Sequence, residues 1–189
     1  MFRLDFSSHV VQAVKDVVEL LGGPPKVFDV NSLLVVGTMA QIPGDYIEIG
    51  TWFGGSALVT ALVKKRAEIA GAVTCVDSFV GLDEYDIKPS REQVLDSASR
   101  LNVELSIIAK QSNPWPTELE DKVWTVGYVD GDHQMAEVDT KILSRRVTRF
   151  LMLDDLNLVE NQMLRFLAGD SRWSIRLLYR GCAVLGRMS

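Results

Sequence analysis

The sequence contains few cysteines and no long apolar run. Only Cys75 and Cys182 are present among 189 residues, and they lack the spacing of a metal site and the number that a disulfide framework needs. No apolar stretch approaches the roughly 20 residues of a membrane span. The first residues mix charge with apolar side chains too early for a secretory signal. We therefore expect a cytoplasmic protein without a membrane partner.

An overall positive charge is also missing. The formal net charge is −5 at pH 7, which disfavours nucleic acid as an obligatory partner. The basic residues are concentrated in residues 141–189, where nine Lys or Arg accompany four Asp or Glu. This segment either provides a basic face for an anionic substrate or carries ordinary solvated arginines.

The length is that of one domain, so we expect a single unit over residues 1–189. Residues 1–42 predict two helices, the second over about 31–41, that form an N-terminal cap. Residues 45–189 then predict the core. The two leading helices carry apolar stripes, which makes a homodimer a reasonable expectation.

From Asp45 onward the pattern alternates between strand, loop and helix. The interior predicted strands are apolar on both faces, as in a parallel sheet covered on both sides. The last two segments, "WSIRLLYR" and "CAVLGRM", are separated only by Gly181, so we expect them to pair antiparallel. The sequence thus predicts an α/β, Rossmann-like doubly wound sheet. It has five parallel strands, a C-terminal antiparallel hairpin and helices on both faces, one of them over 159–169.

A glycine-bearing loop, "EIGTWFGGSA", follows the first predicted strand. Gly50, Gly54 and Gly55 permit unusual backbone angles and the close approach of a ligand. Trp52 stands where the G-x-G-x-x-G fingerprint needs its second glycine, and no Lys-Ser/Thr pair follows. The loop is therefore neither a dinucleotide fingerprint nor a phosphate-binding P-loop.

Two carboxylates accompany this loop. Glu48 places a negative group on the floor of the site, which repels phosphates and attracts a cationic ligand. Asp77 ends the second predicted strand, where an acid can accept both hydroxyls of a ribose. The alternative is that Asp77 caps the loop that follows it. We favour the ribose role because the glycine loop precedes it in the expected order.

Six segments together resemble class I S-adenosylmethionine-dependent methyltransferases. They span about residues 45–187 and read "YIEIGTWFGGSALVTAL", "VTCVDSFVGL", "IIAKQS", "VGYVDGDHQMAEVDTKI", "FLMLDD" and "GCAVLGR". The Asp-Gly-Asp-His sequence is similar to the hallmark of the branch with macrolide-sugar O-methyltransferases and cephalosporin hydroxylase-like proteins. With this resemblance we expect the strand order 3-2-1-4-5-7-6.

The resemblance implies an S-adenosyl-L-methionine site at the carboxyl ends of the strands. Glu48 and the glycines would contact the methionine part, Asp77 the ribose, and Gln111 with Ser112 the adenine. The full set of cofactor-binding residues expected from the resemblance is Glu48, Gly50, Thr51, Gly54, Gly55, Asp77, Ser78, Gln111, Ser112 and Asp130.

The resemblance also implies a metal and a base. Asp130 ends the fourth predicted strand, and Asp154 and Asp155 end the fifth, so three carboxylates would meet beside one another. Such a set repels itself unless it is protonated or neutralised, and oxygen ligands suit Mg²⁺. Mg²⁺ would lower the pKa of a substrate hydroxyl or diol, and His133 would accept the proton as general base. Asp132 is expected to cap the following helix.

Other interpretations remain open. His133 could be a bystander at a helix start, and Asp154 and Asp155 could be ordinary polar residues at a strand end. The leading hypothesis is a Mg²⁺-dependent O-methyltransferase for a small hydroxylated molecule. A non-catalytic module with the same fold and an NAD(P)-dependent oxidoreductase are the alternatives. Departures from the family, such as Lys110-Gln111 in place of Gly-Asp, leave the substrate's identity open.

Overall fold

The computed structural model describes residues 6–24, 26–27, 29–80, 88–156 and 169–188. Seven strands form one sheet in these ranges: β1 (Tyr46–Ile49), β2 (Val73–Val76), β3 (Ser106–Ile108), β4 (Trp124–Val129), β5 (Val147–Leu153), β6 (Trp173–Tyr179) and β7 (Cys182–Arg187). The α-helices described are α1 (Ser8–Leu21), α2 (Val30–Met39), α3 (Gly55–Arg66), α4 (Arg91–Arg100) and α5 (Ala136–Arg146). The helix predicted over 159–169 falls almost wholly outside the described residues.

The strand order is β3-β2-β1-β4-β5-β7-β6, as predicted. Strands β1 to β5 pair in parallel, and β7 runs antiparallel to both β5 and β6. A two-residue turn, Arg180-Gly181, joins β6 to β7, and both residues have positive φ angles of 47° and 89°. Such a turn matches the natural twist of a hairpin, which explains why no helix separates these strands.

Helices cover both faces of the sheet. On one face, α5 contributes Ala136 and Leu143 to a core with Ile47 and Leu151. On the other face, α2 and α3 pack against the alternate strand residues, such as Tyr46. Helix α1 packs on α2 and α3, so the two leading helices extend the core rather than forming a separate lobe. None of the described helices has the length and apolar character needed to cross a membrane.

The helix ends predicted from the sequence agree with the structure at α1 but not at the start of α5. Ser7 caps α1 by accepting from the Val10 N–H, and Gly22 ends the helix with a φ angle of 85°. In contrast, α5 begins at Ala136, two residues later than its predicted start. The reason is an intervening turn in which Asp132 Oδ1 accepts from the Gln134 N–H at 2.9 Å. Asp132 therefore caps this turn and not the helix itself.

A buried lysine fixes the entry to β1. Lys64, near the end of α3, is 5% exposed. Its ammonium donates to the main-chain carbonyls of Ile42 at 3.1 Å and of Gly44 at 2.8 Å. Burial lowers its pKa, and the Asp45 charge partly counters this. Lys64 thus ties the far end of α3 to the chain just before β1.

Candidate functional site

The loops after β1 and β4 touch through their main chains. Gly50 has a φ angle of 88°, and a Cβ atom there would lie 2.1 Å from the carbonyl oxygen of Asp130 and 2.5 Å from Gly131 Cα. The Asp130 N–H donates to the Ile49 carbonyl at 2.9 Å. Only glycine permits both this angle and this approach. The structure therefore places the glycine loop directly beside the Asp-Gly-Asp-His segment.

Asp77 holds the glycine loop in shape. Its Oδ2 accepts from the main-chain N–H groups of Thr51 at 2.6 Å and Trp52 at 2.9 Å, and its Oδ1 accepts from that of Phe79 at 2.6 Å. The capping alternative for Asp77 is therefore realised. Oδ1 carries only one of these bonds, so it retains a lone pair that could accept a ribose hydroxyl. The two roles are compatible.

Glu48 lies beneath this loop with no exposed surface. Its Oε2 accepts from Ser56 Oγ at 2.8 Å and from the Tyr46 hydroxyl at 3.2 Å. Its Oε1 has no hydrogen-bond partner among the described residues. Burial raises the pKa of Glu48 to about 7, and the nearby Ser56, Thr51 and Tyr46 hydroxyls partly oppose this. The Thr51 hydroxyl does so without a hydrogen bond of normal geometry.

An unpaired, buried carboxylate oxygen has consequences for ligand binding. Leaving it without a donor costs about 1–3 kcal/mol or more. A donor group or a cation under the glycine loop would relieve this cost. The acid-lined floor, the glycine cradle and Asp77 thus fit a cofactor that carries an ammonium group, a positive centre and a ribose.

The predicted base and carboxylates line one small open cleft. Its walls include Asp130, Gly131, His133, Asp154 and Asp155. His133 Nε2 lies 3.0 Å from Asp155 Oδ2, with the two side chains 48% and 45% exposed. The sequence therefore predicted correctly that the ends of β4 and β5 meet at one place. The His133–Asp155 pair was not predicted.

Asp154 is oriented differently from Asp155. It is 8% exposed, and the hydroxyl of the fully buried Tyr128 donates a hydrogen bond to its Oδ2. Its Oδ1 accepts from the Asp155 N–H at 2.9 Å. Burial raises the pKa of Asp154, while the Tyr128 and Ser32 hydroxyls lower it. No role was predicted for Tyr128, because it resembles an ordinary strand residue in the sequence.

Two effects raise the pKa of Asp130, namely desolvation and the charges of neighbouring carboxylates. Desolvation by the protein atoms packed around it raises the pKa of Asp130 well above the usual value, and the charges of Asp154 and Asp155 act in the same direction. The residue is nevertheless exposed, so solvent or a ligand can reach it. Carboxylates in this position favour protonation or a nearby positive charge.

The side chains do not fit the predicted metal site. Within the described ranges, no three Asp, Glu, His or Cys side chains are grouped so that they could hold a metal ion. Asp154 uses both oxygens for protein donors, and Asp155 faces His133. The three carboxylates share a cleft, yet they do not converge on one point. Spacing along the chain predicts which strand ends meet, but it does not predict side-chain direction.

The segment expected to bind adenine is tied to α5. Ser112 Oγ donates to Asp139 Oδ1 at 2.5 Å, while Gln111 and Ser78 are exposed. Asp139 is 1% exposed. Burial raises its pKa to about 6, Ser112 opposes this, and the charge of Asp132 adds to it. The buried role of Asp139 was not predicted from the sequence, although an acid within the apolar stripe of α5 is a signal that could have indicated it.

A family model described as Macrocin-O-methyltransferase (TylF) matches residues 29–115. No curated protein matches the chain. The matched segment includes α2, the glycine loop, Asp77 and Ser112. It ends before Asp130, so the match does not cover the cleft residues on β4 and β5.

Solved structures share the fold over nearly the whole chain. An O-methyltransferase from Bacillus cereus in complex with S-adenosylhomocysteine (SAH) is 14% identical with a TM-score of 0.70, covering 94% of this chain and 91% of that one. TomG from Streptomyces achromogenes, in complex with S-adenosylmethionine (SAM), is 11% identical with a TM-score of 0.67, covering 98% and 92%. A putative caffeoyl-CoA O-methyltransferase from Staphylococcus aureus is 14% identical with a TM-score of 0.66, covering 96% and 93%.

These matches confirm the resemblance drawn from the sequence. The family match covers slightly less than half of the chain, and the structural similarity at this identity concerns the fold. The family match and the shared strand order show that this chain is similar to the macrocin O-methyltransferases and has the fold of the class I SAM-dependent methyltransferases.

Proposed function

We propose that this protein is a SAM-dependent O-methyltransferase that acts on a small hydroxylated molecule. The observation that carries the proposal is the His133–Asp155 pair, at 3.0 Å, in an open cleft directly beside the glycine loop. A histidine paired with a carboxylate is a common arrangement for accepting a proton from a hydroxyl group. The adjacent loop holds the features that suit the cofactor.

The chain's own residues would bind and orient the cofactor. When bound, SAM supplies a methyl group on a positively charged sulfur that an oxygen nucleophile can attack. Asp77 would accept from the ribose, and Glu48 would compensate positive charge from beneath the loop. Ser112 and Gln111 remain the predicted contacts to adenine, with Ser112 fixed by Asp139. These assignments rest on position in the fold and on the free acceptors described above.

His133 would remove the proton from the substrate hydroxyl. If Nε2–H donates to Asp155, Nδ1 is the acceptor, and it makes no hydrogen bond to the described residues. Asp155 then stabilises the imidazolium that forms when the proton arrives. Both side chains are nearly half exposed, so the proton can return to solvent after each turnover. General-base catalysis of this kind is worth about 10²–10⁴-fold in rate.

The divalent cation remains a prediction of the sequence. Asp130, Asp154 and Asp155 are its expected ligands, and their side chains would have to rotate to converge. The proposed proton transfer therefore uses no step through a metal. Mg²⁺ dependence is tested by adding the ion and then a chelator to the same transfer reaction and thermal melt. A rise in rate and melting temperature that the chelator reverses would restore the metal hypothesis.

The proposal is tested by binding and by transfer. Calorimetry should detect SAH binding, and radiolabelled SAM should transfer its methyl group to members of a panel of sugars, catechols and phenols. His133→Gln should lower kcat at least 100-fold while SAH affinity stays within about twofold. His9→Gln is the matched control, because His9 is exposed on α1. Absence of SAH binding would refute the proposal.

The same experiment separates the alternatives. SAH binding without transfer to any panel member would favour the non-catalytic binding module. Binding of NAD(H) in place of SAH would favour the oxidoreductase, which the missing G-x-G-x-x-G makes the weaker hypothesis. A cytoplasmic location and a homodimer also remain predictions, to be checked by fractionation and by light scattering.

A further inference from the structure

The turn after β5 holds Asp155 in an unusual conformation. Asp155 has a φ angle of 53°, in the left-handed region that side chains other than glycine adopt rarely. Such a residue costs about 1–3 kcal/mol unless its surroundings hold it in place. The residues on either side of Asp155 show what does so.

Three hydrogen bonds fix this turn. The Asp154 N–H donates to the Val129 carbonyl at 3.0 Å, which continues the β4–β5 ladder. The Leu156 N–H donates to the Gly181 carbonyl in the β6–β7 turn at 2.9 Å. Between them, the Asp155 N–H donates to Asp154 Oδ1 at 2.9 Å. The left-handed residue is therefore clamped on both sides and through its own amide.

The clamp depends on the direction of the Asp154 side chain. Tyr128 reaches across from β4, the neighbouring strand, and donates to Asp154 Oδ2. With Oδ2 held by Tyr128, Oδ1 faces the Asp155 N–H. Tyr128 is 1% exposed, and burial raises its pKa well above the usual value, so its hydroxyl keeps the proton that it donates. A hydrogen bond from a hydroxyl to an ionised carboxylate belongs to the stronger class of hydrogen bonds.

We propose that Tyr128 and Asp154 are positioning residues, which hold the Asp155 turn so that the Asp155 carboxylate orients the imidazole of His133. This inference rests on the proposed role of His133 and deepens it. It assigns Asp154 to the protein's own hydrogen-bond network instead of to a metal. It also gives the buried tyrosine a function beyond packing, because Asp155 Oδ2 meets His133 Nε2 only while the turn keeps its form.

The direct test is the tautomer of His133. Long-range ¹H–¹⁵N spectra distinguish Nε2–H from Nδ1–H imidazole, at a pH where the ring is neutral. The chain has two histidines, so His9→Gln assigns the signals. Wild-type His133 should be mainly the Nε2–H tautomer, because that nitrogen donates to Asp155. Tyr128→Phe should move it toward a mixture, and Asp155→Asn should do so more strongly.

A matched control is available in Tyr46. Tyr46 is also 1% exposed and also donates to a buried carboxylate, Glu48, but it has no link to the Asp155 turn. Tyr46→Phe should leave the His133 tautomer unchanged, although it removes a comparable hydroxyl. If Tyr128→Phe fails to fold, Asp154→Ala replaces it. Removal of this carboxylate relieves repulsion with Asp130 and Asp155, and it should produce the same tautomer mixture.

Activity gives the second readout. Once a substrate is known, Tyr128→Phe should lower kcat about tenfold with the KM for SAM unchanged, because misplacing a general base affects the chemical step. The outcomes are distinguishable. If Tyr128→Phe and Asp154→Ala keep the wild-type tautomer, the positioning inference is wrong even if methyl transfer occurs. If the tautomer changes as expected but no methyl transfer is found, the positioning stands and the proposed function fails.

Discussion

The contact between Gly50 and the Asp130 main chain predicts an unusually large effect of one methyl group. Gly50→Ala places a non-glycine residue at a φ angle of 88°, which costs about 1–2 kcal/mol. The new Cβ would also lie 2.1 Å from the Asp130 carbonyl oxygen. Both partners are main chain, so neither can rotate away, and overpacking adds about 1–3 kcal/mol. The total loss is about 2–5 kcal/mol.

Gly22→Ala is the matched control for this variant. Gly22 has a φ angle of 85°, close to that of Gly50, but an added Cβ would meet nothing within 4 Å. Gly22→Ala should therefore lower the free energy of unfolding by about 1–2 kcal/mol, which is the cost of the backbone conformation alone. The difference between the two variants isolates the contact between the two loops.

Urea denaturation followed by circular dichroism measures both free energies of unfolding. The midpoint should fall more for Gly50→Ala than for Gly22→Ala, with the slope unchanged in each. SAH affinity should fall at least tenfold only for Gly50→Ala, because its loop must move to accept the methyl group. Equal losses of stability in the two variants would show that the loops are not in contact in solution, and the geometry of the site would have to be revised.

The remaining predictions concern three other polar side chains. The pKa of Glu48 is raised from 4.5 to about 7, so its contribution to stability is full below about pH 4.5 and is lost as pH rises through about 7. Glu48→Gln should therefore exceed the wild type in free energy of unfolding by on the order of 3 kcal/mol above about pH 8, and equal it below about pH 4. A pH-independent difference in chemical denaturation would contradict this. Lys64→Met should cost about 2–4 kcal/mol because two carbonyls lose a charged donor, whereas Lys65→Met, at an exposed lysine on the same helix, should cost about 1 kcal/mol or less. Equal thermal shifts for the two lysine variants would overturn the assignment. Asp77→Asn replaces an acceptor with a donor toward the loop amides, so it should cost about 1–3 kcal/mol and weaken SAH binding in calorimetry at least tenfold. Unchanged binding would remove Asp77 from the cofactor site.

The sheet could be predicted because its signals are local and repeated. Strands β1 and β2 are short and fully buried, and the alternation with helices leaves few topologies. The hairpin followed from the short gap around Gly181. The start of α5 could not be predicted to the residue, because the turn at Asp132 satisfies amides that a helix would otherwise use.

The site could be predicted at the level of strand ends but not of contacts. Asp130, His133, Asp154 and Asp155 follow neighbouring parallel strands, so their meeting in one cleft was foreseeable. The partner of each side chain was not, since rotamers and backbone angles decide whether Asp154 faces a metal or Tyr128. Tyr128 acts from the interior and gives no signal in the sequence, whereas the buried Asp139 stands out as an acid within the apolar stripe of α5.

Lys64 is the clearest example of a buried residue whose role cannot be predicted from the sequence. It stands in the sequence "VKKR", near the end of a helix, where a lysine is normally solvated. Only the packing of α3 over the chain before β1 buries it. No spacing rule distinguishes it from Lys65, its exposed neighbour.

The two hydrogen bonds from the Lys64 ammonium close the segment between Gly44 and Lys64 into a ring. The chain leaves Gly44, passes through β1, the glycine loop and α3, and returns to Gly44 through the ammonium group. While these bonds are kept, the end of α3 cannot separate from the chain before β1. The glycine loop therefore lies in a segment whose two ends are joined to each other, at the side of the sheet opposite to the loop.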